Sequence, residues 1–182
     1  MKHYLRAFPL LALSASALAN TAVISFTGNV IAGSCPITIK DPAGGASGTI
    51  DMGEAMAGNF DRVGLEVNHR NFAIKVDDPA TCPGWNAAGT NVGAVRFFGL
   101  AGGADNDQLF ALNASGAPAT GVALGIKDDA GTSVGHGGIS KGYPLIGGQA
   151  NELGFTAFYK STAAIVGAGA ADADVSVELT IN

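Results

Sequence analysis

The amino-acid sequence predicts an all-β fold, a sandwich or a barrel. Apolar residues recur with period two over many short runs, the signature of strands with one buried face. Clusters of Gly, Asn, Asp and Pro punctuate those runs, and the chain holds 27 glycines. No stretch of ten or more residues combines a 3.6-residue period with helix caps. Short strands separated by such turns build two-layer or closed β architectures.

The chain opens on Lys2, His3 and Arg6, followed by an apolar run over 7–13 and then small residues. Ala17-Leu18-Ala19 fits a small-x-small cleavage site, so 1–19 reads as an export signal; cleavage after Ala17 fits as well. The apolar run is too short to span a bilayer. An arm over 20–27 comes next. Ala22, Ile24 and Phe26 point one way, and Thr21, Val23, Ser25 and Thr27 the other. Gly28 breaks the alternation, and Val30 and Ala32 resume it. An extended apolar arm at a chain end needs a sheet edge to pair with, because an untethered terminus frays. The remainder, 28–182, has the size of one domain and buries roughly 70% of its unfolded surface.

The strands follow in order. Ile37-Thr38-Ile39 alternates after Cys35-Pro36, and a Gly/Ala/Pro-rich loop covers 41–48. The next strand is expected over 49–53. Residues 68–76 (NHRNFAIKV) place Phe72, Ile74 and Val76 on one face and end at the Asp77-Asp78-Pro79 turn. A polar loop over 83–91 carries Trp85, and the strand 92–100 (VGAVRFFGL) is expected to be buried on both faces near its end. A turn over 102–107, a strand over 108–112 and the turn Asn113-Ala114-Ser115-Gly116 come next. Val122, Leu124 and Ile126 alternate, as do Leu153, Phe155, Ala157 and Tyr159. A small-residue, flexible linker is expected over 167–173. The chain closes with Val175, Val177, Leu179 and Ile181 on one face and Ser176, Glu178 and Thr180 on the other.

The formal net charge is −5, and removal of Lys2 and Arg6 with the signal makes it more negative. An acidic chain without a basic cluster is not built to bind nucleic acid. Cys35 and Cys82 are the only cysteines. In the oxidising compartments that exported chains reach, two cysteines read as one disulfide. There is no CxxC, and His69 and His136 stand alone, so no metal site is expected.

Patterns associated with catalysis are present but lack their context. Gly138-Ile139-Ser140-Lys141-Gly142 matches G-x-S-x-G. A nucleophile elbow needs a strand before the serine and a helix after it, whereas glycines precede this one and Tyr143-Pro144 follows. Asp105-Asn106-Asp107 begins like a calcium loop without its glycine or distal glutamate and reads as a turn. His69 and His136 read as solvated polar residues, and Phe60 and Trp85 as packing residues in loops. Asn113-Ala114-Ser115 is a formal glycosylation sequon. No catalytic residue and no cofactor is expected.

The order of these segments resembles the pilin subunits of chaperone–usher fimbriae, above all the type 1-like major subunits. The likeness rests on Phe26-Thr27-Gly28-Asn29-Val30 ahead of Cys35, on Cys82, and on Val95-Arg96-Phe97-Phe98-Gly99. It continues through Gly121-Val122-Ala123-Leu124-Gly125-Ile126 and Phe155-Thr156-Ala157-Phe158-Tyr159. Each motif alone is unspecific; their order behind a signal covers essentially the whole exported chain.

The resemblance implies an incomplete immunoglobulin-like β-sandwich that lacks its last strand. It implies a groove filled first by a strand of a periplasmic pilus chaperone and then, at an outer-membrane usher, by the arm of a neighbouring pilin subunit. This is strand addition, in which main-chain hydrogen bonds supply affinity and alternate side chains fill pockets. Ala22, Ile24 and Phe26 would be the donor side chains. Val175, Val177, Leu179 and Ile181 would form one edge of the acceptor groove, the edge the chaperone also meets. The cysteine pair would tie the first strand to the end of the third. The function implied is that of a structural, non-enzymatic subunit of an adhesive surface fimbria, exported through the periplasm to the bacterial surface. A single-domain tip or minor subunit that itself binds a host glycan or surface is the alternative. The sequence departs from the family at two points: Ile181 stands where members usually carry a tyrosine, and the arm is short.

Overall fold

The computed structural model describes residues 35–182; the segment 1–19 expected to be an export signal, and the expected donor residues Ala22, Ile24 and Phe26, lie outside the described residues. The described strands are β1 (Ile37–Lys40), β2 (Glu66–Val76), β3 (Asn91–Gly99), β4 (Gly103–Ala104), β5 (Leu109–Phe110), β6 (Val122–Asp128), β7 (Tyr143–Leu145), β8 (Asn151–Ser161) and β9 (Val175–Ile181). They form a six-stranded sheet in the order β1-β2-β8-β6-β5-β4 and a three-stranded sheet in the order β7-β3-β9. Neighbouring strands in both sheets are antiparallel. The fold is thus a sandwich, the immunoglobulin-like arrangement that the resemblance implied, and not a barrel.

The period-two runs decide which residues fill the space between the sheets. Phe72 on β2 sits opposite Phe155 on β8, and Ile74 opposite Leu153; all four are buried. Val95 and Phe97 supply the facing layer from β3. The rings of Phe72 and Phe155 stack at 5.5 Å, and Phe97 meets Phe155 edge-on at 5.0 Å. Such pairs add to the gain from area burial.

The structure corrects four expectations. Residues 49–53 do not form a strand. Side-chain turns replace the ladder there: Thr49 N–H donates to Ser47 Oγ, Gly53 N–H donates to Asp51 Oδ1, and Gly53 adopts a φ of +66°. Residues 92–100 are not buried on both faces near their end, since Phe98 and Leu100 are exposed. The 167–173 segment is not free. Ala119 and Thr120 donate to Ala170 and Gly167, and Gly167 and Ala170 donate back to Thr120 and Ala117. His136, finally, is half-buried beside Phe98 and Phe110, and its Nδ1 accepts the Gly99 N–H at 3.0 Å.

Cys35 and Cys82 are bonded, with Cα atoms 4.7 Å apart and a sequence separation of 47. The bond joins the start of β1 to the turn after β2. On the outer face of the large sheet Phe158 is buried, with the His69 ring stacked on it at 5.4 Å and Lys127 Nζ over it at 4.6 Å. Lys127 pairs with Glu66 at 2.5 Å, and His69 approaches the same carboxylate at 3.4 Å. Burial raises the Glu66 carboxyl, but Lys127 and His69 together outweigh it and hold the group below its ordinary value.

Two outcomes follow from these contacts. Replacing both cysteines by serine removes a long loop closure and should lower the unfolding free energy by roughly 4 kcal/mol, read as a lower urea midpoint. Alkylation of both thiols in the native protein would contradict the bond. The lowered Glu66 adds stability above its unfolded-state value and loses it as pH falls through its folded-state value. Lys127→Ala should therefore flatten the acid side of the stability profile, by no more than about 1 kcal/mol for so exposed a pair.

Candidate functional site

The site begins with the last strand. β9 is the edge of its sheet and pairs with β3 from Gly93↔Ile181 to Gly99↔Val175. Among the described residues no strand pairs with its other side. Val175, Val177 and Leu179 are half-buried, while Ser176, Glu178 and Thr180 are exposed. An edge strand with an alternating apolar face is a ready template for another chain segment.

A groove of about 760 Å³ runs along the first half of β9. Val175 and Val177 line one side, and Ile39, Ile50 and Met52 contribute the other. Phe72, Phe97, Leu124, Ile126, Ala157 and Tyr159 line it between the sheets. A second recess of about 360 Å³ shares Gly53, Tyr159, Ala171 and Asp172 with the first and reaches Met56, Phe60 and Val166. The two adjoin through these shared residues as one trough, in which apolar side chains are mixed with the carboxylates of Asp51, Asp172 and Asp174. Asp174 there accepts a hydrogen bond from Asn113 Nδ2 at 3.0 Å.

Inside the trough, burial pushes the Tyr159 hydroxyl above its ordinary value, and the Asp172 and Asp51 carboxylates add to that. The hydroxyl stays protonated and donates to the Ala171 carbonyl at 2.8 Å. It therefore pins the segment that carries the trough wall and is not available as a base. Ser140 is also tied down: its Oγ accepts the Val95 N–H and donates to the Lys141 carbonyl. Among the described residues no cluster of His, Cys, Asp or Glu is arranged to hold a metal ion.

The residues expected at the groove edge separate into two pairs. Val175 and Val177 line the trough. Leu179 continues the same face against the core cluster, and Ile181 is buried at the far end, where its carbonyl lies against Gly84. Reading the sequence missed the opposite lip, Ile50 and Met52, and the residues between the lips. Their inward alternation was visible, but alternation does not tell which buried face borders a groove. Asn68, which ties the lip to β2, carried no signal at all.

A family model described as Fimbrial protein matches residues 24–182. Among solved structures, the fold is similar to a chaperone–usher pilus, in a structure described as revealing the basis of rod uncoiling. That match has 22% identity and a TM-score of 0.58, covering 93% of this chain and 100% of that one. The P pilus rod subunit PapA is similar at 24% identity and a TM-score of 0.58, covering 81% and 99%. The CupB6 tip adhesin from Pseudomonas aeruginosa is similar at 22% identity and a TM-score of 0.52, covering 68% of this chain and 33% of the adhesin. The chain thus spans about a third of that adhesin's length. No curated protein sequence matches significantly.

The two faces of β9 should respond differently to charge. Val177→Asp places a carboxylate against Phe97, opposite which Val177 sits in the ladder, and should cost several kcal/mol. Thr180→Asp, on the solvent side and outside the groove lining, should change the urea midpoint by no more than the equivalent of about 0.5 kcal/mol. Equal losses in the two variants would contradict the orientation of the strand.

Proposed function

The chain belongs to the fimbrial protein family, and on that premise we propose that it polymerises into a surface fimbria by strand donation. The observation that supports this reading is the trough beside β9. An apolar groove bounded by an edge strand suits an extended segment with side chains at every second position, since such a segment satisfies both the pockets and the open backbone edge. Residues 20–27 have that pattern. Ala22, Ile24 and Phe26 are the donor side chains, and the trough of the neighbouring subunit receives them. Val175 and Val177 form the acceptor wall, with Leu179 and Ile181 continuing the edge. After removal of 1–19 the mature chain consists of the arm 20–27 and the pilin domain 28–182.

Before assembly a periplasmic chaperone strand occupies the groove, and an outer-membrane usher is the place of exchange. The subunit has a structural role in the fibre, without catalysis or a cofactor. A role as a tip or minor subunit that binds a host glycan has no specific observation in its favour.

Ile24→Asp tests the reading. Burial of an isoleucine contributes roughly 1.5–3 kcal/mol, and a carboxylate in an apolar pocket costs more again. The variant should form a normal periplasmic complex with the chaperone and yet give no fibres. The readouts are chaperone co-purification and the multimer ladder on gels of unheated samples. A wild-type ladder from Ile24→Asp would show that the arm in this register is not the donor.

A further inference from the structure

The lip opposite β9 is held in an unusual way. β1 pairs with β2 only as far as Lys40↔Ala73. Beyond that point the chain returns past β2 as 50–55 without forming a ladder. Side chains bridge the distance instead. Asn68 Nδ2 donates to the Met52 carbonyl at 3.1 Å and to the Glu54 carbonyl at 2.9 Å. Arg70 Nε donates to the Asp51 carbonyl at 3.2 Å. The backbone of β2 is shaped for this: its register against β8 shifts between Val67 and Arg70, and Asn68 has a φ of +52°. A positive φ at a non-glycine residue is uncommon, with Asn among the few residues that adopt it. Gly53 completes the fit. It has a φ of +66°, and a Cβ there would sit 2.9 Å from the Arg70 guanidinium.

We propose that Asn68 and Arg70 are positioning residues that hold the lip away from the sheet, so that a donated strand enters between the lip and β9. A backbone ladder would hold neighbouring strands about 4.8 Å apart; a side-chain bridge stands the lip further off while still satisfying its carbonyls. The bridging leaves Ile50 and Met52 in the wall of the trough. The proposal rests on the strand-donation reading above and adds that the acceptor groove is set by two polar side chains outside it.

The test uses the full exported chain carrying Ile24→Asp, which disables its own arm, loaded with a fluorescent synthetic peptide of residues 20–30. Peptide release is compared with Asn68 intact, with Asn68→Asp and with Asn68→Gly. Aspartate tolerates the positive φ but presents oxygens to the two carbonyls. Glycine adopts that φ without strain and has no side chain to donate. Both variants should release the peptide about tenfold faster, the loss expected for two hydrogen bonds. Release from Asn68→Gly at the parent rate would overturn the proposal, because Asn68 would then serve only the backbone bend.

If the peptide does not load on the Asn68 parent, strand donation fails as a reading, and the clamp is judged by NMR relaxation. Amide order parameters over 50–56 should fall below about 0.6 in both variants while those of β8 stay near 0.85. Unchanged order parameters in the lip would overturn the clamp itself.

Discussion

The contact on which this structure depends is the junction of Phe72, Phe97 and Phe155. Two of the rings come from paired strands of the large sheet and the third from the centre of the small one. Their edge-on and stacked contacts are where the sheets grip each other. Phe72 and Phe97 also line the trough. The same rings therefore close the core and line the candidate site. Ala157, with its short side chain between Phe155 and Tyr159 along β8, keeps room in the trough that a larger residue would fill.

The small sheet adds the second constraint. Among the described residues it consists of β7, β3 and β9 and covers less than the six strands facing it, with β9 at its edge. Natural edges are blunted by inward charges, prolines or bulges. β9 has none of these: its sequence is Val-Ser-Val-Glu-Leu-Thr-Ile, and Glu178 points outward beside Arg96. On the opposite side the lip is neither a strand of the sheet nor a loose loop. Side chains satisfy three of its carbonyls, and Ile50 and Met52 rest against the core. The result is two rails with an apolar floor between them.

Much of this was legible in the sequence. β8 and β9 could be read almost residue by residue, because strict alternation leaves one answer for which side chains face inward. The disulfide followed from two cysteines behind a segment that reads as an export signal. The irregular pieces were harder, for reasons of physics. Residues 49–53 have a strand-like composition, yet Ser47 and Asp51 offer their own oxygens to the backbone and win it from the ladder. Asn68 sits in a run that looks like plain strand, and nothing local announces that it turns into the left-handed region to reach Met52 and Glu54. The 167–173 segment looked free because small residues carry no period, whereas its bonds to 117–120 are made by backbone alone. His136 looked solvated because its partner, the Gly99 amide, is far away in sequence. Local pattern reports the face of a strand; the partition into sheets and the side-chain bridges are set by contacts between distant segments.

The placement of the disulfide has a mechanical meaning. β1 is four residues long and lies antiparallel to β2, starting from Ile37↔Val76. Tension applied to the chain ahead of Cys35 would peel such a strand one pair at a time, which is the weakest way to load a sheet. The covalent link to Cys82 diverts that tension before it reaches Ile37. It passes into the Pro79–Thr81 turn, which Asp78 braces through its carboxylate to the amides of Ala80 and Gly148. Traction is thereby spread over the neighbouring strands, and the short first strand is spared the load.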